Sequence, residues 1–576
     1  MKHIWRELDA LRGSIDPQRL AGVLLREVAE ISGEAPGIYS GLERHWQECR
    51  ENPSYPHLQS AARMFLELSE AERIASLPRL GNIDGSRRFE FGLIEDIPAK
   101  KIAEMAGQVA SVRCSFGPSA MPALQIALEG KIAKRFLHVR FVDADIDLCD
   151  LVKLAAAAIG VSIDVIAGQP FSRIDGGSFE AEICMPPFGA NIRDREELPR
   201  KTLERIDAAE RGRLHFEPVA MADMLVHAPN ARVVFSFTAG ALFRTVGFEA
   251  VARSEIIDSG RLVAVFAVPP SMIYTTTQIA TGIVILKPKG HHEESIRFVD
   301  LADKRFATKA NRGRYNIDRK TSWAEAIDCE ISDDVLWARD VAVSEIHDQS
   351  DVLSAERYLR TQSGEALSVF LANYETRPLG DVVEVIRPAA IPKSEDGEFI
   401  IHEASPGDIG EEGFLNCPPK ETRVARGALR KARNQQVRPG DVLLSVKGTI
   451  GKTGMIPKNV PGLDEDSFWT AGQSLVILRS KGSISPEVLF EYLSNGLVQD
   501  YIGSLAGGAA IQSITAKDLA ALQIPVPSKE QQAQVGEEFQ KRQHAFEKLH
   551  GIRQAIDQIK NQSWPHAELK MTEVNP

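Results

Sequence analysis

The sequence predicts a multidomain α/β protein with an N-terminal helical bundle, a parallel Rossmann-like sheet, and an α+β domain that ends in a long helix. Three observations support this prediction. The 576 residues exceed what a single hydrophobic core usually supports. Apolar residues recur at helical spacing near both ends, and short apolar runs alternate with helical stretches between residues 100 and 290. The expected domains are 1–90, 91–370, 371–527 and 528–576.

The pattern of apolar residues places the elements in order along the chain. Residues 1–85 are expected to be helical, because leucine and valine recur there every three or four positions. Strands are then predicted at 108–112, 136–141, 163–167, 181–184, 232–237 and 262–267, with helix 148–159 between them and an antiparallel pair at 268–274 and 279–286. After a helix around 354–373, the last part predicts strands 382–386, 399–401, 441–446, 454–456 and 475–478 and helices 486–496 and 528–559.

Composition excludes several classes of protein. Hydrophobic residues make up 43% and charged residues 26%, which is ordinary for a globular protein. The six cysteines are scattered without a CxxC pair, so neither a metal site nor a disulfide framework is expected. A net charge of −11 argues against a chain that coats nucleic acid, although local patches decide DNA binding. The N-terminus has no apolar signal segment and no run is long enough to span a membrane, so a cytoplasmic protein without membrane contact is expected.

The segment 183–188, Ile-Cys-Met-Pro-Pro-Phe, closes the fourth predicted strand. Its tetrapeptide Met185, Pro186, Pro187 and Phe188 resembles the Asn/Asp-Pro-Pro-aromatic motif of DNA amino-methyltransferases. In that motif the first residue accepts hydrogen bonds from the exocyclic amine of the flipped base, and the ring stacks on the base. Met185 offers only a weak thioether acceptor and cannot orient an amine, whereas Phe188 keeps a ring face for stacking.

Other segments extend this likeness over most of the chain. Segments 240–244, 268–274, 281–287 and 343–358 resemble the modification (N6-adenine methyltransferase) subunit of type I restriction-modification systems. Segments 378–383, 437–448, 450–452, 507–514 and 519–531 resemble one target-recognition domain and one spacer helix of the specificity subunit. The resemblance implies a fusion: a helical domain, a class I methyltransferase-like domain, a target-recognition domain, and a spacer or dimerisation helix.

The resemblance also implies a cofactor loop after the first strand, where S-adenosylmethionine would bind. The matching segment 113–119 is Arg-Cys-Ser-Phe-Gly-Pro-Ser, and Gly117 is its only retained glycine. Arg113 replaces an acid, Pro118 lacks a backbone donor, and Ser119 restricts the approach of a ligand. A cofactor loop with all these changes is expected to be degenerate.

The acidic residues that would complete the cofactor site are only partly present. Asp145 is the better match for a ribose-binding acid and Asp143 lies beside it, but an ordinary solvated strand end is an equally open interpretation. Gly168 and its neighbour supply no acid near the adenine. Together with Met185, these changes predict a pseudo-methyltransferase that binds no cofactor. If the domain were active, S-adenosylmethionine would be its cofactor.

The candidate DNA-binding residues lie in the second half of the chain. Six cations fall in a stretch without acids, where they could neutralise phosphates, although a solvated helix face is the alternative: Arg423, Arg426, Arg430, Lys431, Arg433 and Arg438. Lys447 and Lys452 lie on a glycine-rich hairpin, and Gln473 could bind an adenine edge.

The function expected from these observations is sequence recognition on double-stranded DNA, within a restriction-modification or phage-defence system. The chain would act as a homodimer, or as a hetero-oligomer with an active methyltransferase, nuclease or translocase chain. One alternative is an active adenine-N6 DNA methyltransferase with a variant motif at Met185. The other is a non-catalytic adaptor that binds protein.

Overall fold

The fold is described from a computed structural model of the chain. The described residues are 2–11, 15, 17–34, 36–38, 41–81, 94–173, 176–192, 195, 198–207, 214–244, 247–274, 277, 279–290, 293–310, 314–332, 335–359, 362–461, 467–505 and 513–562. They belong to two compact units, Met1–Arg360 and Thr361–Pro576. Segment 507–512, which is part of the resemblance to the specificity subunit, lies outside the described residues.

The N-terminal part of the first unit is helical, as the spacing of its apolar residues predicts. A buried carboxylate, Glu27, accepts hydrogen bonds from Trp46 Nε1 at 2.8 Å and from the Tyr55 hydroxyl at 2.9 Å, and so joins three of the helices. The helices are α1 (Lys2–Asp9), α2 (Pro17–Ser32), α3 (Leu42–Arg50), α4 (Tyr55–Glu67), α5 (Glu70–Gly81) and α6 (Asp96–Met105).

A nine-stranded sheet forms the centre of the first unit, in the order β11-β8-β6-β7-β5-β4-β1-β2-β3. Strands β1 to β5 are parallel, and β7 runs antiparallel between β5 and β6. The strands are β1 (Ser111–Ser115), β2 (His138–Asp143), β3 (Asp164–Ala167), β4 (Ala181–Cys184), β5 (Arg232–Thr238), β6 (Leu262–Val268), β7 (Thr281–Leu286), β8 (Ser295–Asp300) and β11 (Ala338–Ala342), with β9 (Ala307–Lys309) and β10 (Tyr315–Ile317) as a separate pair.

Helices cover both faces of this sheet, which is the predicted α/β fold class. Successive residues of a strand point to opposite faces, and two hydrophobic cores result. Val234 lies in the core that includes α2, α7 and α8, and its neighbour Phe235 lies in the core with α10 and α12. The remaining helices of the unit are α7 (Ala120–Ile132), α8 (Ile146–Ile159), α9 (Arg200–Asp207), α10 (Phe216–His227), α11 (Ala239–Phe243), α12 (Phe248–Asp258), α13 (Glu325–Asp328) and α14 (Val343–Asp348).

Two local predictions in this unit were wrong. The predicted strand 268–274 is a turn, because the consecutive prolines 269 and 270 have no N–H to donate to a strand partner and Ser271 has a φ of 61°. The strand predicted at 108–112 instead begins at Ser111. The sequence also gave no sign of β8 and β11, which extend the sheet.

The second unit consists of three small sheets and seven helices among its described residues. The sheets have the orders β13-β19-β16-β17, β15-β14-β18 and β12-β20. The strands are β12 (Thr376–Pro378), β13 (Val383–Ile386), β14 (Phe399–Ala404), β15 (Glu421–Val424), β16 (Val442–Ser445), β17 (Thr453–Met455), β18 (Ser467–Ala471), β19 (Leu475–Ser480) and β20 (Gln523–Pro525). The helices are α15 (Gln362–Leu371), α16 (Leu379–Val382), α17 (Arg426–Arg433), α18 (Pro486–Ser494), α19 (Gly496–Ser504), α20 (Ala516–Ala521) and α21 (Lys529–Gln562).

The predicted long closing helix is present as α21. Its first half packs on the unit through Phe539, which is 3% exposed and contacts Phe414 and Phe490 edge-on. Within the described part of the chain, no helix is both long and apolar enough to cross a membrane.

Candidate functional site

The carboxyl ends of the parallel strands form the first candidate site. Ligands of open α/β sheets bind beyond these ends. Because β1 to β5 are parallel, the residues at or just after their ends share one edge of the sheet, here called the carboxyl edge. These residues are Phe116, Asp143, Gly168, Met185 and Thr238.

The tetrapeptide 185–188 follows β4 at this edge, but Met185 is only 1% exposed. Its backbone N–H donates to the Ser115 carbonyl at 3.1 Å, which holds it against the end of β1. Pro186 is also buried, whereas Pro187 and Phe188 are half-buried. The Phe188 ring packs edge-on against Tyr274, with 4.8 Å between ring centroids. The structure therefore separates the four residues, since the thioether lies in the core and the ring lies nearer the surface.

Glu217, which sequence reasoning missed, fixes the segment after Phe188. Its carboxylate is 4% exposed and accepts the N–H of Gly189 at 3.2 Å and that of Thr238 at 2.6 Å. This side chain therefore links the turn after β4 to the end of β5. No helix was predicted at α10, and the two partners of Glu217 lie 28 and 21 residues away in the sequence, so no local pattern indicated this role.

Three aromatic rings pack together at the carboxyl edge. Phe116 has a φ of 71°, a backbone conformation that residues other than glycine rarely adopt, and the residue is 5% exposed. The ring lies 5.3 Å from Phe171, which follows β3, and 6.0 Å from Phe216, which begins α10. Phe171 and Phe216 are 5.7 Å apart. These rings fill the space between the loop after β1 and the start of α10.

The candidate cofactor loop is closed on itself. Gly117, Pro118 and Ser119 form a buried helical turn, and the Ser119 hydroxyl donates to the Phe116 carbonyl at 2.7 Å. Asp143 accepts the N–H of Asp145 at 2.7 Å and the backbone amide of Gly117. Burial raises the pKa of Asp143 to about 6.

Asp145, the ribose-binding candidate, has a structural role. It is the N-cap of α8, where its carboxylate accepts the N–H groups of Asp147 at 2.9 Å and Leu148 at 3.2 Å. Asp143, rather than Asp145, is the acid that reaches the Gly117 loop. Asp145 directly precedes α8, so its carboxylate accepts the N–H groups of the first turn of that helix instead of a group of the loop.

Arg113 lies inside the sheet rather than on the loop. It is 1% exposed, donates to Ser115 Oγ at 2.6 Å, and lies 3.6 Å from Glu182. Glu182 also accepts from Arg173 at 2.8 Å, and Arg173 in turn pairs with Asp223 at 2.7 Å. Burial lowers the pKa of Arg173, but the two carboxylates outweigh burial and raise it. The positive charge of Arg113 is thus balanced within a buried network.

Helix α17 carries four of the eight predicted DNA-binding cations. Arg426, Arg430 and Lys431 are exposed on it, and Arg423 is exposed on the neighbouring strand β15. Among the described residues, no acidic side chain forms an ion pair with any of these four cations. The opposite side of the helix packs on the sheet β15-β14-β18 through Ala432 and its neighbours. A cationic surface results, here called the α17 surface.

Arg433 belongs to the same helix but is directed at the sheet. Its guanidinium carbon lies 4.0 Å from the ring centroid of Phe468, and its Nη1 donates to Gln436 Oε1 at 2.8 Å. The structure therefore separates Arg433 from the α17 surface.

The remaining candidates lie elsewhere in the second unit. Lys447 and Gln473 are exposed on adjacent loops, since the Val446 N–H donates to the Ser474 carbonyl at 2.9 Å. Gln473 follows the carboxyl end of β18, whereas Phe468 lies near the amino end of that strand. Lys452 is half-buried at the base of its hairpin, and Arg438 precedes β16 on the side of that strand opposite to the hairpin. The candidates thus include the α17 surface and the group around Lys447 and Gln473, and Arg438 is assigned to neither.

No metal centre is evident within the ranges that the structure describes, where no three His, Cys, Asp or Glu side chains are arranged to hold an ion. A groove of about 740 Å³ lies along α21 in the second unit. It is lined by Glu411, Phe414, Met455, Phe546 and Leu549, among others.

Comparisons with known proteins identify two segments of the chain. Residues 174–366 match the family N-6 DNA Methylase, and residues 372–558 match the Type I restriction modification DNA specificity domain. No curated protein gives a significant match.

Solved structures with a similar fold include three restriction-system proteins. The type I methyltransferase subunit from Streptococcus thermophilus is 14% identical, with 62% of this chain and 98% of that chain covered and a TM-score of 0.47. The type IIG restriction endonuclease BpuSI is 10% identical, with 91% and 72% covered and a TM-score of 0.46. The HsdS subunit from Thermoanaerobacter tengcongensis is 18% identical, with 41% and 57% covered and a TM-score of 0.22.

Proposed function

We propose that this chain, in which an N-6 DNA methylase domain is fused to a type I restriction-modification DNA specificity domain, is a DNA-recognition subunit whose methylase domain is inactive. The observation that carries the recognition part is the α17 surface, which presents Arg423, Arg426, Arg430 and Lys431 from the specificity domain. Cations placed in this way neutralise backbone phosphates and release condensed counterions. The expected ligand is double-stranded DNA.

The proposed inactivity rests on three features of the carboxyl edge. The Phe116 ring and its two aromatic neighbours occupy space beyond β1 and β3, and Asp143 already accepts the backbone amide of Gly117 in the loop. Met185 is buried and offers no strong acceptor to a base. These residues do not fit S-adenosylmethionine, and we propose no methyl transfer by this domain.

Base recognition is assigned to the second group of candidates. Gln473 is exposed beside Lys447, and its amide can form a bidentate pair with an adenine edge. Lys447 would contact phosphate beside it. The α17 surface would then supply affinity, and Gln473 would supply sequence preference.

The second half of α21 supports a homodimer. Leu549, Ile552, Ile556 and Ile559 are 41%, 58%, 46% and 63% exposed, and they recur at spacings of three, four and three residues. This spacing is the heptad pattern of a coiled-coil seam, which a second copy of the helix would cover. Two copies would pair two recognition domains on two half-sites.

Three measurements on the intact protein test the proposal. Binding of a duplex library should weaken steeply between 50 and 200 mM salt, titration calorimetry with S-adenosylmethionine should give no heat of binding, and plasmid DNA should remain unmethylated. Methylation of the plasmid would instead support the active adenine-N6 methyltransferase. Absence of DNA binding even at low salt would contradict the recognition function and favour a protein-binding adaptor.

A further inference from the structure

The glycine-rich hairpin that bears Lys447 is built around two glycines in left-handed conformations. Gly448 has a φ of 80° and Gly451 a φ of 88°, which only glycine adopts without strain. The hairpin is closed by hydrogen bonds of 2.9 Å from the Ser445 N–H to the Lys452 carbonyl and from the Gly451 N–H to the Ser445 carbonyl. Lys447 through Thr449 are exposed at its tip. The tip therefore presents a lysine and an open glycine to solvent.

One side chain from outside the hairpin fixes its base. Gln499, on helix α19, donates through Nε2 to the Gly451 carbonyl at 2.7 Å and contacts Thr453 Oγ1 at 3.2 Å. The same nitrogen donates to the Leu493 carbonyl, which belongs to the preceding helix. The Thr453 hydroxyl adds a second donor to the Gly451 carbonyl at 2.9 Å. A single amide thus joins the hairpin to two helices.

The fit between Gln499 and the hairpin leaves no spare room. A Cβ on residue 451 would lie 2.4 Å from Gln499 Oε1, well inside van der Waals contact. Glycine at 451 is therefore favoured by its φ, and a side chain there would also displace the Gln499 amide. The arrangement restrains the position of the hairpin.

The hairpin also borders the other loop that carries a candidate DNA contact. The Val446 N–H donates to the Ser474 carbonyl at 2.9 Å, and the Ile514 N–H donates to the Val446 carbonyl at 3.0 Å. The exposed side chains of Lys447 and Gln473 are therefore carried by neighbouring loops. A shift at the base of the hairpin would move Lys447 relative to Gln473.

We propose that Gln499 is a positioning residue for DNA binding, which holds the 447–452 hairpin so that Lys447 meets a backbone phosphate beside Gln473. This inference rests on the proposed function of the specificity domain. Gln499 itself touches no DNA in this arrangement and acts through the Gly451 carbonyl.

The test is a double-mutant cycle on duplex binding by the full chain. Gln499→Met keeps the length of the side chain and removes its donor, and Lys447→Ala removes the proposed phosphate contact. Each single variant should lower the slope of log affinity against log salt by about 0.9, the value for one phosphate contact. The double variant should lose no more DNA affinity than Lys447→Ala alone, because both changes remove the same phosphate contact. Gln543→Met is the matched control, since Gln543 donates to the Glu412 carbonyl at 3.1 Å and does not touch the hairpin.

Two outcomes overturn the inference while wild type still binds DNA. One is an unchanged salt slope in Gln499→Met, and the other is a loss in the double variant equal to the sum of both singles. If Gln499→Met does not fold, Gln499→Leu is the second variant, because it also removes the donor to the Gly451 carbonyl. Gln499→Leu should then show the same lowered slope, and an unchanged slope refutes the proposal. Wild type that fails to bind DNA refutes the proposed function itself, which is a distinct result.

Discussion

Replacing Arg430 and Arg433 separately distinguishes a DNA contact from a packing contact on the same helix. Arg430 is exposed on the α17 surface, whereas Arg433 lies over Phe468 and bonds to Gln436. Arg430→Ala should therefore reduce DNA affinity without changing stability, and Arg433→Ala should reduce stability. The two residues lie on one helix, so the surrounding structure is a common control.

The expected magnitudes follow from these contacts. Loss of one phosphate contact lowers the slope of log affinity against log salt by about 0.9. When the salt concentration rises fourfold, the factor by which the affinity falls should therefore be about 3.5 times smaller for the variant than for wild type. Arg430→Ala should change the free energy of unfolding by less than about 0.5 kcal/mol, as exposed substitutions do. Arg433→Ala removes a cation–π contact and one hydrogen bond, which together are worth about 1–2.5 kcal/mol.

Fluorescence anisotropy with a labelled duplex at 50, 100 and 200 mM salt measures the slope, and urea unfolding of the same variants measures stability. Arg426→Ala serves as a second exposed variant and should behave like Arg430→Ala. The reasoning is refuted if Arg433→Ala lowers the salt slope at unchanged stability, or if Arg430→Ala binds DNA with the wild-type slope.

Three further predictions concern the first unit and the closing helix. Glu182→Gln leaves Arg113 and Arg173 with one carboxylate fewer in a buried network, so the free energy of unfolding in urea should fall by about 3–5 kcal/mol, and a fall below about 1 kcal/mol would count against the network. Burial raises the pKa of Asp143 to about 6, so the folded state binds this proton more tightly than the unfolded state does. The protonated carboxyl therefore stabilises the folded state fully below about pH 4, and this stabilisation of about 3 kcal/mol is lost as the pH rises through 6. Asp143→Asn should remove that part of the pH dependence of the urea midpoint between pH 4 and 7, and an unchanged profile would contradict it. Ile556→Glu places a charge in the proposed seam of α21, so light scattering should show the monomer mass, whereas an unchanged dimer would exclude this face as the interface.

The carboxyl edge of the large sheet illustrates what local sequence patterns can and cannot predict. The sequence located β4 correctly and placed Met185 directly after it, because strand periodicity and the two prolines are encoded by adjacent residues. It did not indicate that Phe116 would pack against Phe171 and Phe216, which follow it by 55 and 100 positions in the numbering. Contacts over such separations depend on the assembled sheet.

The folded unit also determines which of Asp143 and Asp145 contacts the Gly117 loop. Asp143 ends β2 and Asp145 follows it, and Asp145 matched the family position better. The start of α8 uses Asp145 as its cap, and the buried Asp143 then reaches the Gly117 loop. Burial and hydrogen-bond competition, which determine the outcome, are properties of the folded unit.

The sequence by itself determined the N-terminal helices, strands β1 to β6, the two-part fusion and the cation-rich stretch 423–438, because periodicity, motifs and charge runs are local properties of the chain. Only the tertiary structure decided which of those cations face outward. Phe468 and Gln436 hold Arg433 against the sheet, while Arg430, one turn earlier on α17, remains exposed. The physical reason is that a side chain's role depends on the partners that folding brings to it, here the Phe468 ring from β18, which lies far from Arg433 in the sequence.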